Sequence, residues 1–179
     1  MKRLSKIEKI DKGRIKLYID GEYLGFLYQK EFKRFNLSEE DEIEEKVICE
    51  IADILYRRAK ERALYILQRM DKTEKQIMDK LRQNLYSDAV IFKVIEFLRT
   101  YRFIDDCRYT ANYVKYKEEK KSIRQLKQDL YKKGISSSVI NDFFESYDST
   151  EDIAIEKLIW KKIKDKKIDE LEFKERDRL

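Results

Sequence analysis

The sequence predicts a mostly α protein, built as tandem three-helix repeats with an incomplete third copy, behind a small N-terminal β-hairpin or three-stranded element. Three observations carry this prediction. The 179 residues contain no proline and only four glycines, and a chain so poor in breakers and rich in Lys, Glu, Ile, Leu and Tyr favours amphipathic helices. Apolar residues recur every three or four positions from Gln29 onward, the period of one helix face. A pattern of small, aromatic, β-branched and basic residues returns after 48 and again after 47 residues, a spacing typical of stacked supersecondary units.

The β element comes first. Ile15, Leu17 and Ile19 alternate with Arg14, Lys16, Tyr18 and Asp20, which is strand periodicity. Asp20-Gly21 then separates this run from Tyr23-Leu24-Gly25-Phe26-Leu27-Tyr28. An Asp-Gly pair between two such runs is a hairpin signal, because a type I′ turn needs positive φ at both central residues. Leu4 to Ile10 supplies a possible third strand, with Asp11-Lys12-Gly13 as its turn. A lone hairpin is marginal in water, so the element is expected to pack on the helices or on a partner. Ser38 followed by Glu39-Glu40-Asp41 reads as an N-cap with acidic residues in the first turn. A helix is therefore expected from about Glu39 to about Ala52, continuing or breaking before Leu55.

The repeat organises the remainder. Ala59-x3-Ala63-x-Tyr65-Ile66-x2-Arg69 is echoed by Tyr109-x-Ala111-x-Tyr113-Val114-x2-Lys117 and, more weakly, by Ile155-x2-Leu158-Ile159-Trp160-x3-Lys164. Second helices are expected over Glu74 to Leu85 and Ile123 to Tyr131, and third helices over Ser87 to Leu98 and Ser136 to Tyr147. Ser87-Asp88 and Ser136-Ser137-Ser138 are suited to starting helices, and Gly134 to stopping one. The expected divisions are 1–54 for the β element with its acidic helix, 55–105 and 106–149 for two repeats, and 150–179 for a partial third. The chain ends at Leu179 where that third copy's second helix should lie.

Composition also limits the chemistry. There is no histidine, and Cys49 and Cys107 are far apart, which disfavours most zinc sites, Ser-His-Asp and Cys-His triads and imidazole acid–base catalysis. No phosphate-binding glycine loop or RNP signature occurs. These features favour a binding protein over an enzyme, with no cofactor. No apolar run approaches 18 residues and no apolar segment follows the start, so a cytoplasmic monomer with reduced thiols and no membrane partner is expected. Asp105-Asp106 could hold a divalent metal or move a proton, but two aspartates at a helix start also make ideal caps, and that reading is preferred. Tyr65, Tyr113 and Trp160 could stack on bases; their matching places in each repeat favour a core role instead.

Charge is divided unevenly. Asn36 to Ile54 carries eight acidic residues and one basic, whereas Leu55 to Ile135 carries 21 basic and 11 acidic. The acidic run has its explanation in the helix start. The basic excess makes a field suited to a polyanion or a regular polymer of subunits. Arg57, Arg58, Arg62 and Arg69 crowd one repeat and Lys117, Lys121, Arg124, Lys132 and Lys133 the next; these nine are the candidate partner contacts. Lys60, Lys115, Lys120 and Lys127 lie among them.

Ala59-x3-Ala63-Leu64-x2-Leu67-x-Arg69-x3-Thr73-x2-Gln76-Ile77-x2-Lys80-Leu81 resembles the signature of the bacterial RecX regulators. So do Phe103-Ile104-Asp105-Asp106-x2-Tyr109-x-Ala111-x-Tyr113-Val114 and Leu130-x2-Lys133-Gly134-Ile135. The resemblance covers Ala59 to Phe144 well and Ile153 to Leu179 weakly. Two departures stand out: Arg102 where the family usually has glycine, and Thr73, Gln76 and Ile77 where Ser and Glu-Leu are frequent. The resemblance implies a three-helix-repeat protein that lodges in the groove of the RecA–DNA filament. There it would hinder filament extension, ATP hydrolysis, strand exchange and coprotease activity, with roles in DNA repair, recombination and the SOS response. Single- or double-stranded DNA is a further implied contact. The alternative is a helical protein that binds DNA directly and acts without RecA.

Overall fold

A computed structural model describes residues 1–147. Strands β1 (Lys2–Lys9), β2 (Arg14–Ile19) and β3 (Glu22–Tyr28) are followed by helix α1 (Gln29–Phe35), the short strand β4 (Glu42–Ile43) and helix α2 (Glu45–Arg69). Five further helices complete the described chain: α3 (Glu74–Gln83), α4 (Asp88–Thr100), α5 (Asp106–Lys117), α6 (Ile123–Lys132) and α7 (Ser137–Ser146). The fold is thus mostly helical, with the expected β element at its start. The third repeat expected from residue 150, with Trp160, lies outside the described residues.

The strands form one antiparallel sheet in the order β3-β2-β1-β4. Asp20 (φ 50°) and Gly21 (φ 82°) join β2 to β3, the pair of positive φ values a type I′ hairpin requires. The Asp11 carboxylate accepts from the amides of Gly13 (2.8 Å) and Arg14 (2.9 Å), fixing the turn between β1 and β2. Ile15, Leu17 and Ile19 are buried as their alternation demands.

The fourth strand corrects the sequence reading. Ser38 does not cap a helix, and residues 39–44 are not helical. The Ser38 amide donates to the Asp41 carboxylate (2.6 Å), Leu4 N–H donates to the Asp41 carbonyl (2.9 Å) and Glu40 N–H to that of Leu4 (2.8 Å). Backbone groups that a helix would have paired internally are satisfied instead by the edge of β1, which β4 extends. Only then does α2 begin, and it runs unbroken across residues 54 and 55.

Helix α2 is buried twice. Its Ile51 and Leu55 lie in one core with Leu4, Leu17 and Leu27 of the sheet, while Ala59 and Ala63 continue that core among Ile77, Leu81, Ile91 and Leu98. A Cβ placed on Gly25 (φ 149°) would lie 2.5 Å from Leu55 Cδ1, so only glycine lets helix and sheet approach this closely. Tyr23, on the edge strand β3, donates from its hydroxyl to the Leu85 carbonyl between α3 and α4 (2.6 Å), and burial pushes its pKa up to about 12.

Helices α5 to α7 make a second core of Val114, Leu126, Leu130, Ile135 and Ile140, separate from the first. The second and third helices of the two units match 49 residues apart: Thr73 with Ser122, Leu81 with Leu130, Ser87 with Ser136, Ile91 with Ile140. Thr73 and Ser122 each close a capping box with the glutamine three residues on, satisfying two helix-end donors reciprocally. The first helices do not keep the 48-residue match. Ala59 and Ala63 are buried, whereas Cys107 and Ala111 are exposed, and α5 buries Thr110 and Val114 instead. The buried pair of α5 thus stands 51 residues after that of α2.

Polar contacts join the units. Thr73 Oγ1 donates to the Lys133 carbonyl (2.7 Å), and Glu74 N–H donates to the Asp106 carboxylate (3.0 Å). Gly134 (φ 85°) faces Lys75 so closely that a Cβ would meet its side chain at 2.1 Å.

Because the two cores are separate, Leu130→Ala should weaken α5–α7 by about 2–5 kcal/mol, the usual cost of a buried leucine truncated to alanine. Hydrogen exchange is expected to accelerate in those helices and stay unchanged in α2–α4. Equal acceleration throughout would show one cooperative unit.

Candidate partner-binding surface

Arg58, Arg62, Tyr65 and Arg69 follow one another at intervals of four, three and four along α2, which aligns them in a single stripe. Their environments differ. The Arg58 guanidinium lies 4.6 Å from the Phe26 ring centre and 4.7 Å from that of Tyr28. Its Nη2 donates to the Phe26 carbonyl (3.0 Å), Nη1 is 3.5 Å from Glu31, and only 18% of the side chain is exposed. Arg58 therefore ties α2 to β3, and its Nε and Nη1, which donate to no hydrogen-bond partner, are buried out of reach of another molecule.

Arg62 and Arg69 are exposed, with guanidinium carbons 5.6 Å and 4.5 Å from the Tyr65 ring centre. Tyr65 itself is 44% exposed, which overturns the expectation of a core tyrosine. The buried face of α2 at this level belongs to Ala59 and Ala63; Tyr65 falls on the neighbouring face, between two arginines. Arg57 is also exposed but stands off the stripe, one residue or about 100° from Arg58.

The second unit gathers a different cluster. Lys121 is paired with Asp129, whose Oδ2 also accepts from the Tyr113 hydroxyl (2.8 Å). The Lys121 ammonium, then the Tyr113 hydroxyl, hold the Asp129 carboxyl below its ordinary value, while desolvation raises the Tyr113 phenol. Tyr113 is half-buried and stacks on Tyr109 (6.4 Å), with Lys133 Nζ 5.0 Å from the Tyr113 ring centre and 5.9 Å from that of Tyr109. Arg124 and Lys132 are exposed, and Lys117 lies 4.6 Å from the ring centre of Tyr116.

The two groups lie on either side of the joint. Arg69 is four residues before Thr73, which is bonded to Lys133. Four residues span about 14 Å at full extension, so the end of the α2 stripe lies within roughly 22 Å of the Lys133 backbone. The structure thus brings Arg62, Tyr65 and Arg69 into one patch and Lys121, Tyr113 and Lys133 into another.

Asp105 and Asp106 are caps. Asp105 accepts from the Arg108 amide (2.9 Å) at the start of its own helix. Asp106 accepts from Glu74 at the start of α3 in the other unit, a partner that its sequence neighbourhood does not reveal. Among the described residues no group of three or more His, Cys, Asp and Glu side chains is arranged to hold a metal. No helix among them is long and apolar enough to cross a membrane.

Comparison with known proteins decides the family. The model of the first three-helix domain of RecX matches residues 59–98. The regulatory protein RecX of Clostridium acetobutylicum is 34% identical over 98% of this chain and 83% of its own length. The chain belongs to the RecX family. The RecX of Clostridium tetani is 35% identical over 90% of this chain and 77% of its own. A crystal structure of regulatory protein RecX aligns with a TM-score of 0.52 at 30% identity, covering 82% of this chain and 74% of that one. The structure of RecX from Lactobacillus salivarius gives 0.54 at 27% identity over 59% and 68%. The two Clostridium relatives and the first of these structures are named as regulatory proteins.

Sequence reasoning missed Thr73 as the inter-unit bond, although Thr73-x-x-Gln76 is a legible capping box. It also missed Tyr109 as a stacking partner for Lys133, for which the sequence holds no signal.

Two expectations follow. Arg58→Ala should cost about 2–3 kcal/mol in a urea melt, from a charged hydrogen bond and two ring contacts, whereas Arg57→Ala should fall within about 0.5 kcal/mol of wild type. Burial raises the Asp106 carboxyl above its ordinary value, opposed by the hydrogen bond from Glu74. The folded chain then holds that proton more tightly than the unfolded one, so the contribution favours the fold at low pH and is lost as pH rises through the raised value. Asp106→Asn keeps the acceptor without titrating. Its melting temperature relative to wild type should climb between pH 3 and pH 6, and a constant difference would assign the shift elsewhere.

Proposed function

We propose that this RecX-family protein binds the RecA recombinase filament on DNA and restrains it, mainly by inhibiting extension and with it ATP hydrolysis, strand exchange and coprotease activity. The observation that carries this reading is the exposed Arg62–Tyr65–Arg69 patch of α2, leading to a joint where Lys133 lies on the second unit. Two basic patches on successive units suit a periodic, negatively charged partner better than a compact one. The resemblance that names RecA as partner points the same way. In this reading the protein is a cytoplasmic monomer without a cofactor, ATP belongs to the partner, and the basic contacts come from Arg57, Arg62, Arg69, Lys117, Arg124, Lys132 and Lys133, with Lys121 held by Asp129. Arg58 takes part through the fold. The chain divides as an N-terminal element over 1–54, repeats over 55–105 and 106–149, and a partial repeat from 150, with α2 shared by the first two parts.

A second reading, direct DNA binding without RecA, is favoured by the same arginine-bracketed tyrosine, since bases stack on aromatics beside cations.

One pair of assays separates the two. RecA ATP hydrolysis on single-stranded DNA should slow at substoichiometric protein, and Arg62→Glu with Arg69→Glu should relieve much of that inhibition while preserving the helical circular dichroism signal. Unchanged hydrolysis at equimolar wild-type protein would sink the RecA reading. Tight binding to a bare oligonucleotide, with a log–log salt slope that falls by about two units in the double variant, would establish the DNA reading instead.

A further inference from the structure

Among the described residues, three helices end in the same way. At the ends of α3, α4 and α6, the residue in the left-handed region is Leu85 (φ 64°), Arg102 (φ 55°) and Gly134 (φ 85°). The next amide, of Tyr86, Phe103 or Ile135, donates back to the carbonyl of Leu81, Leu98 or Leu130. This is the Schellman stop, whose left-handed position favours glycine and whose following residue normally packs against the helix. All three stops keep the packing contact: Tyr86 and Ile135 are buried, and Phe103 stacks on Phe97 of α4. Leu85 and Gly134 also have structural reasons, since Leu85 packs on the first core and Gly134 sits against Lys75.

The stop after α4 departs from the glycine preference without such a reason. Arg102 occupies the left-handed position, which costs a side-chain-bearing residue on the order of 1 kcal/mol or more. Its guanidinium has no ion pair or side-chain hydrogen bond among the described residues, and it is exposed. On either side Tyr101 is 65% and Phe103 44% exposed. Both rings lean on the half-buried Phe97, at 4.7 Å and 6.0 Å between ring centres, leaving their outer sides to solvent. Nothing in the fold accounts for an arginine between two exposed aromatics at a position suited to glycine.

The tip borders a groove of about 500 Å3 between α2 and α4, lined by Ala52, Asp53, Tyr56, Lys93, Glu96 and Tyr101 among others. Lys60 rises beside it, 4.8 Å from the Phe97 ring centre. Lys60 and Tyr56 lie on α2 away from the Arg62–Tyr65–Arg69 stripe, so this is a separate surface.

We propose that Tyr101-Arg102-Phe103 is a protein-docking tip, whose two rings enter an apolar recess and whose arginine pairs with a carboxylate on an acidic protein partner. The charges favour that occupant. Lys60, Lys93 and Arg102 are free of ion pairs among the described residues, so a carboxylate on the partner would complete them. Asp53 and Glu96 sit in the same groove and would repel a continuous phosphate backbone, whereas a protein of mixed charge can meet both. Tyrosine and arginine are also the residues in which interface energy concentrates. Taken with the function proposed above, on which this assignment of the partner rests, the acidic surface belongs to a filament subunit.

The test uses full-length protein and RecA filaments assembled on single-stranded DNA with a slowly hydrolysed ATP analogue. Arg102→Gly removes the side chain and relieves the backbone, so its melting temperature should equal or exceed that of wild type. Its affinity for filaments should nevertheless fall about tenfold or more, the scale of a hot-spot truncation. Tyr101→Ser with Phe103→Ser should weaken filament binding similarly, and neither variant should change affinity for a bare oligo(dT) strand. Wild-type filament affinity in both variants overturns the docking tip while leaving the RecA reading intact. A parallel loss on bare oligo(dT) overturns it in favour of a base-stacking platform. Absence of filament binding by the wild type removes the RecA reading and this proposal together.

Discussion

Helix α2 has to satisfy two neighbours at once, and most of the architecture follows from that. Its 25 residues extend for about 37 Å at 1.5 Å per residue. The first half presents Ile51 and Leu55 to the sheet, and the second presents Ala59 and Ala63 to α3 and α4. Large side chains fill the gap beneath the sheet, while alanines permit close helix packing. Gly25 completes the arrangement, because a Cβ at that position would collide with Leu55. The sheet, marginal as an isolated hairpin, gains its stability from this shared core.

The second unit is attached by different physics. Its apolar core does not merge with the first, and directional contacts cross the joint, a threonine hydroxyl on a carbonyl and an amide on a half-buried carboxylate, beside the close packing of a glycine on a lysine stem. Hydrophobic packing tolerates small slides, but hydrogen bonds weaken steeply when misaligned. The relative position of the units is therefore governed by a few named atoms. Asp106 is the clearest case, a carboxylate of one unit that caps a helix of the other.

Arginine illustrates how context divides one residue type among different roles. Arg58 and Arg62 are one turn apart on α2. Arg58 faces the aromatic rings of β3 and is consumed by the fold, whereas Arg62 has passed the edge of the sheet and reaches solvent beside Tyr65. Lys121 is likewise occupied by Asp129 while Arg124 on the same helix remains exposed. A count of basic residues overstates the charge available to a partner, because part of it is neutralised or buried within the protein.

The sequence by itself determined what depends on neighbours along the chain. The Asp-Gly hairpin, the helices of both repeats, the Gly134 stop and the cap at Asp105 all rest on backbone preferences and apolar periods acting over fewer than about ten residues. So did the family, since order and spacing of motifs survive where single residues change. Tertiary structure alone decided the rest. Residues 39–44 carry the marks of a helix start, yet the open edge of β1 offered their backbone groups a better set of partners. Tyr65 matched Tyr113 in sequence, but burial depends on what stands opposite, and α2 and α5 face different surroundings. The pairing of Asp106 with Glu74 and of Thr73 with Lys133 joins residues 32 and 60 positions apart. Such contacts arise only when whole units pack, because their geometry is set by the cores and not by any local pattern.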